Sequence, residues 1–85
     1  MMEHYNYLPL IYWVIDKTYI NDNKETPNSD LKTSFLKEFP QYESFSNHVA
    51  WNIGIILKLV YGSELKTLKL KHRIFYNVDI KEMEA

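Results

Sequence analysis

The side chains that most often bind metals or act as nucleophiles are few in this sequence and far apart. Its three histidines, His4, His48 and His72, are widely separated along the chain. A zinc site needs three or four ligands that converge, usually from closely spaced pairs. No cysteine is present, which excludes thiolate metal ligands, disulfide bonds and a cysteine nucleophile. We therefore interpret the histidines as independent surface or boundary residues and expect no bound metal or cofactor.

The other sequence patterns that would indicate catalysis are also missing. Gly54 and Gly62 are the two glycines of the chain, so a glycine-rich phosphate loop cannot form. The serines, histidines and aspartates follow no nucleophile motif. Glu82 and Glu84 fall at an end of the chain that we expect to fray. Because a domain of this size has little room for a substrate pocket, we expect the protein not to be an enzyme.

Basic residues are concentrated in one part of the chain, although the formal net charge is only −1. Residues 1–57 contain four basic and seven acidic residues, whereas residues 58–81 contain six basic and two acidic residues. Such asymmetry is typical of a nucleic-acid-binding face. It is equally typical of an exposed strand that lysines protect from edge-to-edge aggregation. Both interpretations remain open on charge alone.

Length and composition predict one folded domain over residues 1–85. The chain is 46% hydrophobic and 15% aromatic, which is enough to build a packed core. A secreted domain of this size would usually need disulfides, so the lack of cysteine favours a reducing interior and predicts a cytoplasmic protein. The apolar segment at residues 7–15 is too short to span a bilayer and lacks the basic flank of a signal peptide. We therefore predict no membrane partner.

Apolar spacing predicts the first helix over residues 5–21, with Pro9 in its first turn. A buried strand is the alternative, because Tyr, Trp, Val and Ile favour sheets. The expected buried stripe of this helix consists of Leu8, Ile11, Tyr12, Ile15 and Tyr19.

Two more helices are predicted after a polar loop at residues 21–30. The second helix spans residues 30–39, with Ser29 or Asp30 as its cap and Pro40 as its stop. Its apolar stripe consists of Leu31, Phe35, Leu36 and Phe39.

The third helix spans residues 46–61, with Ser46 as the N-cap and Gly62 in a left-handed C-cap. Gly54, in its middle, predicts close approach by another backbone. Its main stripe consists of Val49, Ile53, Ile56, Leu57 and Val60, and Trp51, Ile55 and Leu59 are expected to widen it.

Residues 65–80 are predicted to form a β-hairpin. The first strand covers residues 65–71 and the second residues 73–80, with the connection near Lys71 and His72. The second strand alternates cleanly. One face carries Ile74, Tyr76, Val78 and Ile80, and the other carries Arg73, Phe75, Asn77 and Asp79.

Three helices followed by a basic hairpin form the layout of an α+β winged helix-turn-helix, with a two-stranded antiparallel wing. In that layout the third helix enters the major groove and the wing lies along phosphates, so DNA is the predicted partner. The predicted nucleic-acid-binding residues are Asn47, His48, Trp51, Asn52, Lys58, Lys66, Lys69, Lys71, His72 and Arg73, with Ser46 also facing the groove.

Residues 31–81 resemble the winged-helix domains at the C-terminal ends of primase-helicases of phages and mobile elements. The matching residues are LKLKHRIFYNVDIK, at positions 68–81, where a hairpin with an aromatic residue leads into alternating apolar residues and a lysine. The wing here lacks a glycine at its tip, and the third helix is unusually apolar. The resemblance implies a DNA-binding protein of phage or mobile-element type that acts in replication or transcription control.

Each of these residues also has a purely structural interpretation. A helical tryptophan such as Trp51 is more often a core residue than a DNA contact. Phe75 and Tyr76 could stack on unpaired bases, but strands more often use aromatics for packing.

A protein-binding adaptor or inhibitor on the same fold is the alternative function. It is favoured by an excess of apolar side chains over what one small core can bury. That excess consists of Trp13, Trp51, Ile55 and Leu59.

A homodimer is also predicted, because the first helix has apolar residues outside its stripe. We expect some of these to pack across a two-fold interface. They are Tyr7, Leu10, Trp13, Val14 and Ile20.

Overall fold

The computed structural model describes residues 6–81. Within that range the chain is an α+β fold, with three α-helices and short antiparallel strands in two small sheets. The helices are α1 (Leu8–Lys17), α2 (Asn28–Glu38) and α3 (Ser46–Tyr61). The strands are β1 (Thr18–Ile20), β2 (Thr26–Pro27), β3 (Thr67–Leu70), β4 (Arg73–Tyr76) and β5 (Val78–Ile80). Turns of 3-10 helix, Pro40–Phe45 and Gly62–Glu64, flank α3.

The first helix is shorter than predicted. It ends at Lys17 instead of residue 21, and the predicted start at Tyr5 lies outside the described residues. Thr18 is already extended, and its hydroxyl donates a hydrogen bond to the Val14 carbonyl. The following residues form β1, which pairs with β5 in register Thr18 to Ile80. Pairing with β5, about 60 residues away in sequence, overrides the helical pattern of the residues that follow Lys17.

The predicted buried stripe of α1 was wrong. Leu10, Trp13 and Val14 face the core, whereas most of the predicted stripe is exposed. The Trp13 indole N–H donates to Glu38 Oε2 at 2.6 Å, and its ring meets Phe35 edge to face with centroids 5.8 Å apart. Because α1 is apolar on nearly every side, its spacing alone could not select the buried face.

The burial of α1 also changes the predicted dimer contacts. Leu10, Trp13 and Val14 lie in the protein's own core, and so they cannot form an interface between copies. Ile20 packs partly against the same core, and Tyr7 is exposed. Because Trp13 is buried, it is not one of the surplus apolar side chains that were predicted to favour a protein-binding function.

The second helix begins two residues before the predicted start and ends one residue earlier, at Glu38. Neither Ser29 nor Asp30 caps it, since both lie inside its first turn and Pro27 takes the cap position. The predicted stripe is confirmed, with Leu31, Phe35 and Leu36 buried and Phe39 packed against the core.

The third helix has the predicted range, but Ser46 is its first helical residue and Phe45 is the cap, without a side-chain hydrogen bond. Gly62 has the positive φ expected after the helix, at +58°, but its ψ of −130° lies outside the left-handed helical region. Four residues of the main stripe are buried. The residues expected to widen it are exposed instead: Trp51, Ile55 and Leu59.

The hairpin is shorter than predicted and consists of β3 and β4, within residues 67–76, while the predicted second strand at residues 73–80 is divided at Asn77 between two sheets. The hairpin strands belong to a three-stranded sheet, unlike the predicted two-stranded wing. β3 and β4 pair around Lys71 and His72, where Lys71 has φ +57°, and β2 adds to the free side of β4. The order of this sheet is β2–β4–β3, while β5 leaves to pair with β1. The predicted loop at residues 21–30 thus contains a two-residue strand that sequence periodicity cannot reveal.

The core lies between the three helices and the side chains of β4 and β5. Its buried apolar members are Leu10, Trp13, Val14, Leu31, Phe35, Leu36, Val49, Ile53, Ile56, Leu57, Tyr76 and Val78.

Candidate nucleic-acid interface

The exposed face of α3 carries an apolar row. Trp51 and Leu59 are each 76% exposed, and Ile55 is 47% exposed. These residues are four apart, so they follow one line along the helix, on the side opposite the buried Ile53 and Leu57. The third helix therefore presents a ridge with little hydrogen-bonding capacity.

The β3–β4 hairpin turns one of its faces toward α3. Cross-strand pairs place Thr67 beside Tyr76 and Lys69 beside Ile74, and all four residues line a cavity shared with α3. The opposite face carries Leu68 and Leu70 with their partners, and the Arg73 guanidinium lies 5.6 Å from the centre of the Phe75 ring. Alternation along the strands thus sends Lys69 toward the helix.

A groove of about 480 Å³ separates α3 from this hairpin. Apolar side chains line most of it, and Lys58 from α3 and Lys69 from β3 add positive charge. Its residues are Asn28, Ala50, Trp51, Gly54, Ile55, Lys58, Leu65, Thr67, Lys69, Ile74 and Tyr76. The expectation of a backbone close to Gly54 was wrong, because the close group is the hydroxyl of Tyr76.

A smaller recess of about 240 Å³ lies between the start of α2 and the hairpin turn. Lys32 reaches it from α2, and His72 and Arg73 reach it from the hairpin. The other lining residues are Pro27, Asn28, Ser29, Ala50 and Ile74. Asn28 Nδ2 donates to the Ala50 carbonyl at 3.1 Å and ties α2 to α3 at this point.

The predicted contact residues near the start of α3 cluster around a shallow depression. Asn47 and His48 are exposed and Asn52 is half-buried, and together with Trp51 they line about 170 Å³. Ser46 is half-buried at the first position of the helix. The structure therefore brings the predicted polar residues of α3 together on one side of the exposed tryptophan.

The predicted basic residues fall into separate groups. Lys58 and Lys69 line the groove, whereas His72 and Arg73 line the recess. Lys71 is exposed at the hairpin turn. Lys66 lies outside both cavities, and its ammonium is 3.9 Å from Asp22 Oδ1.

The positive charge around the groove and the recess is only weakly compensated by carboxylates. Among residues 6–81, no ion pair involves Lys32, Lys58, Lys69, Lys71 or Arg73. Exposed cations without a carboxylate partner attract anions over roughly a Debye length, about 8 Å at physiological ionic strength. The face formed by α3, the hairpin and the start of α2 is thus suited to a polyanion.

Lys32 is a residue of the recess lining that sequence reasoning missed. It stands on the polar side of α2, where its spacing marks only a solvated helix face. The recess forms because α2 and the hairpin turn, 40 residues apart in sequence, meet in the fold. The sequence contained no signal for it, because Ser29 and Asp30 predicted a capped helix start, and only the structure shows that no side chain caps α2.

A second apolar surface lies on α1. Leu8, Tyr12, Ile15 and Tyr19 are exposed along one side of the helix and its extension. Next to them, a cavity of about 510 Å³ is lined by Pro9, Trp13, Asp16, Lys17, Glu38 and Phe39 together with Tyr12 and Ile15. The exposed large apolar side chains therefore lie on α1 and its extension, on α3, and on β3, which carries Leu68 and Leu70.

No cluster of three potential metal ligands occurs within residues 6–81, and His4 lies outside them. In the same described part of the chain, none of the helices has the length and apolar character needed to cross a membrane.

Comparison with known proteins gives no relative: no family model, no curated protein and no solved structure matches this chain.

Proposed function

We propose that this protein is a winged-helix domain that binds nucleic acid through α3 and the β3–β4 hairpin. The order of the elements supports this proposal, because two helices separated by a short turn precede a hairpin. A strand from the α1–α2 connection pairs with the second hairpin strand, which gives a three-stranded sheet with the hairpin at one side. The resemblance of residues 68–81 to the winged-helix domains of primase-helicases favours a role in phage or mobile-element replication or transcription control.

One observation carries the proposal: cations of three separate elements, none of them in an ion pair within residues 6–81, line the two neighbouring cavities between α2, α3 and the hairpin. Lys32 comes from α2, Lys58 from α3, and Lys69 and Arg73 from the hairpin. Such convergence is expected of a phosphate-binding surface. A sheet edge protected against aggregation requires lysines only on the strand itself, so the contribution of α2 and α3 favours the nucleic-acid interpretation.

Fluorescence anisotropy with labelled duplex and single-stranded oligonucleotides at low salt tests this function. We expect binding that weakens steeply as salt is added, because the contacts are to phosphates. Absence of any binding tighter than about 100 µM would be weaker than ordinary non-specific association and would refute the proposal.

The exposed row of α3 favours a second function, a protein-binding adaptor or inhibitor. Tryptophan and leucine side chains that are three-quarters exposed are typical of contact surfaces. A pull-down from host lysate that retains a stoichiometric protein, retains no nucleic acid and loses that protein in Leu59→Asp would favour this function over the first.

A further inference from the structure

The groove and the recess are neighbours. Asn28, Ala50 and Ile74 line both cavities, so these three residues form the boundary between the space beside Trp51 and the space beside Lys32. We refer to the two cavities together as the α3–hairpin channel. A ligand that spans both cavities meets two different chemical environments.

The recess end of the channel carries positive charge. Lys32 lines it together with Ser29, His72 and Arg73, and the Arg73 guanidinium itself lies over the Phe75 ring on the opposite face of the hairpin. The first turn of α2 lies beside it, and no side chain caps that turn. Asp30 is the acidic residue of the same turn, but it does not line the recess. The side-chain chemistry at this end fits a phosphate group.

The groove end of the channel offers a flat aromatic surface. Trp51 is highly exposed there, with Ile55 next to it and Lys58 and Lys69 at the sides. An exposed indole costs solvation free energy unless a partner covers it. A nucleic acid suits this indole, because a base can stack on the ring while the phosphates bind the flanking ammonium groups.

We infer that the channel binds single-stranded nucleic acid, with one phosphate in the recess beside Lys32 and a base stacked on Trp51. In a duplex the base faces are covered by their neighbours, and only base edges are available in the groove. The Trp51–Ile55–Leu59 row offers a single N–H donor for those edges, from the indole. The inference rests on the proposed nucleic-acid function and narrows its substrate to unpaired strands.

The two tryptophans of the chain make the inference directly measurable. Trp13 is 3% exposed in the core, whereas Trp51 is exposed in the channel, so quenching by added oligonucleotide reports on Trp51. We expect a single-stranded oligonucleotide to quench the fluorescence and to bind at least about fivefold more tightly than its duplex, because stacking on one base is worth about 1–3 kcal/mol.

Two substitutions separate stacking from apolar contact. Trp51→Leu keeps an apolar side chain but removes the stacking surface, and we expect single-strand affinity to fall about 5- to 150-fold. Trp51→Phe keeps a smaller aromatic ring, so its single-strand affinity should fall less than that of Trp51→Leu. In Trp51→Leu the oligonucleotide-dependent quenching should also disappear. Leu59→Ala is the matched control, because Leu59 is equally exposed on α3 but does not line the channel.

Lys32→Ala tests the phosphate position. We expect the slope of log affinity against log salt to shrink by about 0.7 for single strands, the value for one lost phosphate contact. Lys37→Ala removes the same charge from the exposed last turn of α2 and should leave the slope unchanged. Circular dichroism of each variant confirms that the helices remain formed.

The possible failures are distinguishable. If duplex binds as tightly as single strand, or if Trp51→Leu binds like the parent, the single-strand inference is refuted while the nucleic-acid function stands. If neither form of oligonucleotide binds, both are refuted.

Discussion

Asn77 and Lys66 exchange two hydrogen bonds at the point where the chain passes from one sheet to the other. The Lys66 backbone N–H donates to Asn77 Oδ1 at 2.6 Å, and the Asn77 backbone N–H donates to the Lys66 carbonyl at 3.2 Å. The Asn77 amide nitrogen also donates to Asp22 Oδ1 at 2.7 Å and to the Glu64 carbonyl at 3.1 Å. One buried side chain thus joins the loop after β1, the turn after α3 and the β4–β5 junction.

The first prediction concerns this junction. Asn77→Asp replaces a donor that faces Asp22 with a second carboxylate, so we expect the free energy of unfolding to fall by about 1–3 kcal/mol. Adding Asp22→Asn should recover part of the loss, because it restores a donor opposite the new carboxylate. Urea denaturation at pH 7 measures both changes, and Asn23→Asp, at an exposed position, is the control. Equal stability of Asn77→Asp and the parent would contradict this account.

The second prediction concerns the contact between α3 and β4. A Cβ placed on Gly54 would lie 2.8 Å from the Tyr76 hydroxyl oxygen, which is closer than the two atoms can approach. We therefore expect Gly54→Ala to destabilise the parent by about 1 kcal/mol, although alanine is intrinsically the better helix former.

A double-mutant cycle checks this explanation. In a Tyr76→Phe background the obstructing oxygen is gone, and Gly54→Ala should then stabilise the protein by about 0.5–1 kcal/mol through helix propensity. If Gly54→Ala has the same effect in both backgrounds, the hydroxyl is not what excludes a side chain at this position.

The third prediction is a pH dependence. Burial raises the pKa of the Tyr76 phenol above its ordinary value of 10.0, since desolvation penalises the phenolate. The native state therefore holds this proton more tightly than the unfolded state. Its contribution to stability is fully present below pH 10 and is lost as the pH rises through the folded-state pKa.

Urea denaturation of the parent and Tyr76→Phe on both sides of pH 10 tests that sign. We expect the parent to lose more stability than the variant as the pH rises, because phenylalanine has no proton to release. Tyr12→Phe, at an exposed tyrosine of α1, provides the matched control. A parent and a Tyr76→Phe variant with parallel pH profiles would show that Tyr76 makes no such contribution.

The fourth prediction concerns the charges of the hairpin. Replacing Lys69, Lys71 and Arg73 together by Ala should weaken binding to every sequence alike, because phosphate contacts carry no base information. The salt slope should shrink by about 0.7 per lost contact on single strands and about 0.9 on duplex. The triple change Lys24, Lys37 and Lys81 to Ala removes equal charge elsewhere and controls for net charge.

The hairpin variant also distinguishes a phosphate-binding surface from a protected sheet edge. An unchanged affinity and salt slope would mean that the lysines only prevent edge-to-edge pairing. The adaptor function would then be favoured, with the apolar row of α3 as its contact surface.

Local patterns of sequence determined much of this protein. The range of α3, the buried stripes of α2 and α3 and the turn at Lys71 and His72 all follow from residues within a few positions of one another. A strong apolar stripe repeats with the period of the helix, and a glycine or a turn ends it, so no distant contact is needed to predict these elements.

The tertiary structure alone decided the rest. α1 is apolar around most of its circumference, and the tertiary contacts of Trp13, those with Phe35 and Glu38 among them, place it in the core. Strands β1 and β2 form because β5 and β4, more than 40 residues away, provide their backbone partners. Lys32 and Arg73 line the same recess for the same reason. Each of these features depends on contacts between residues far apart in sequence, which local periodicity does not encode.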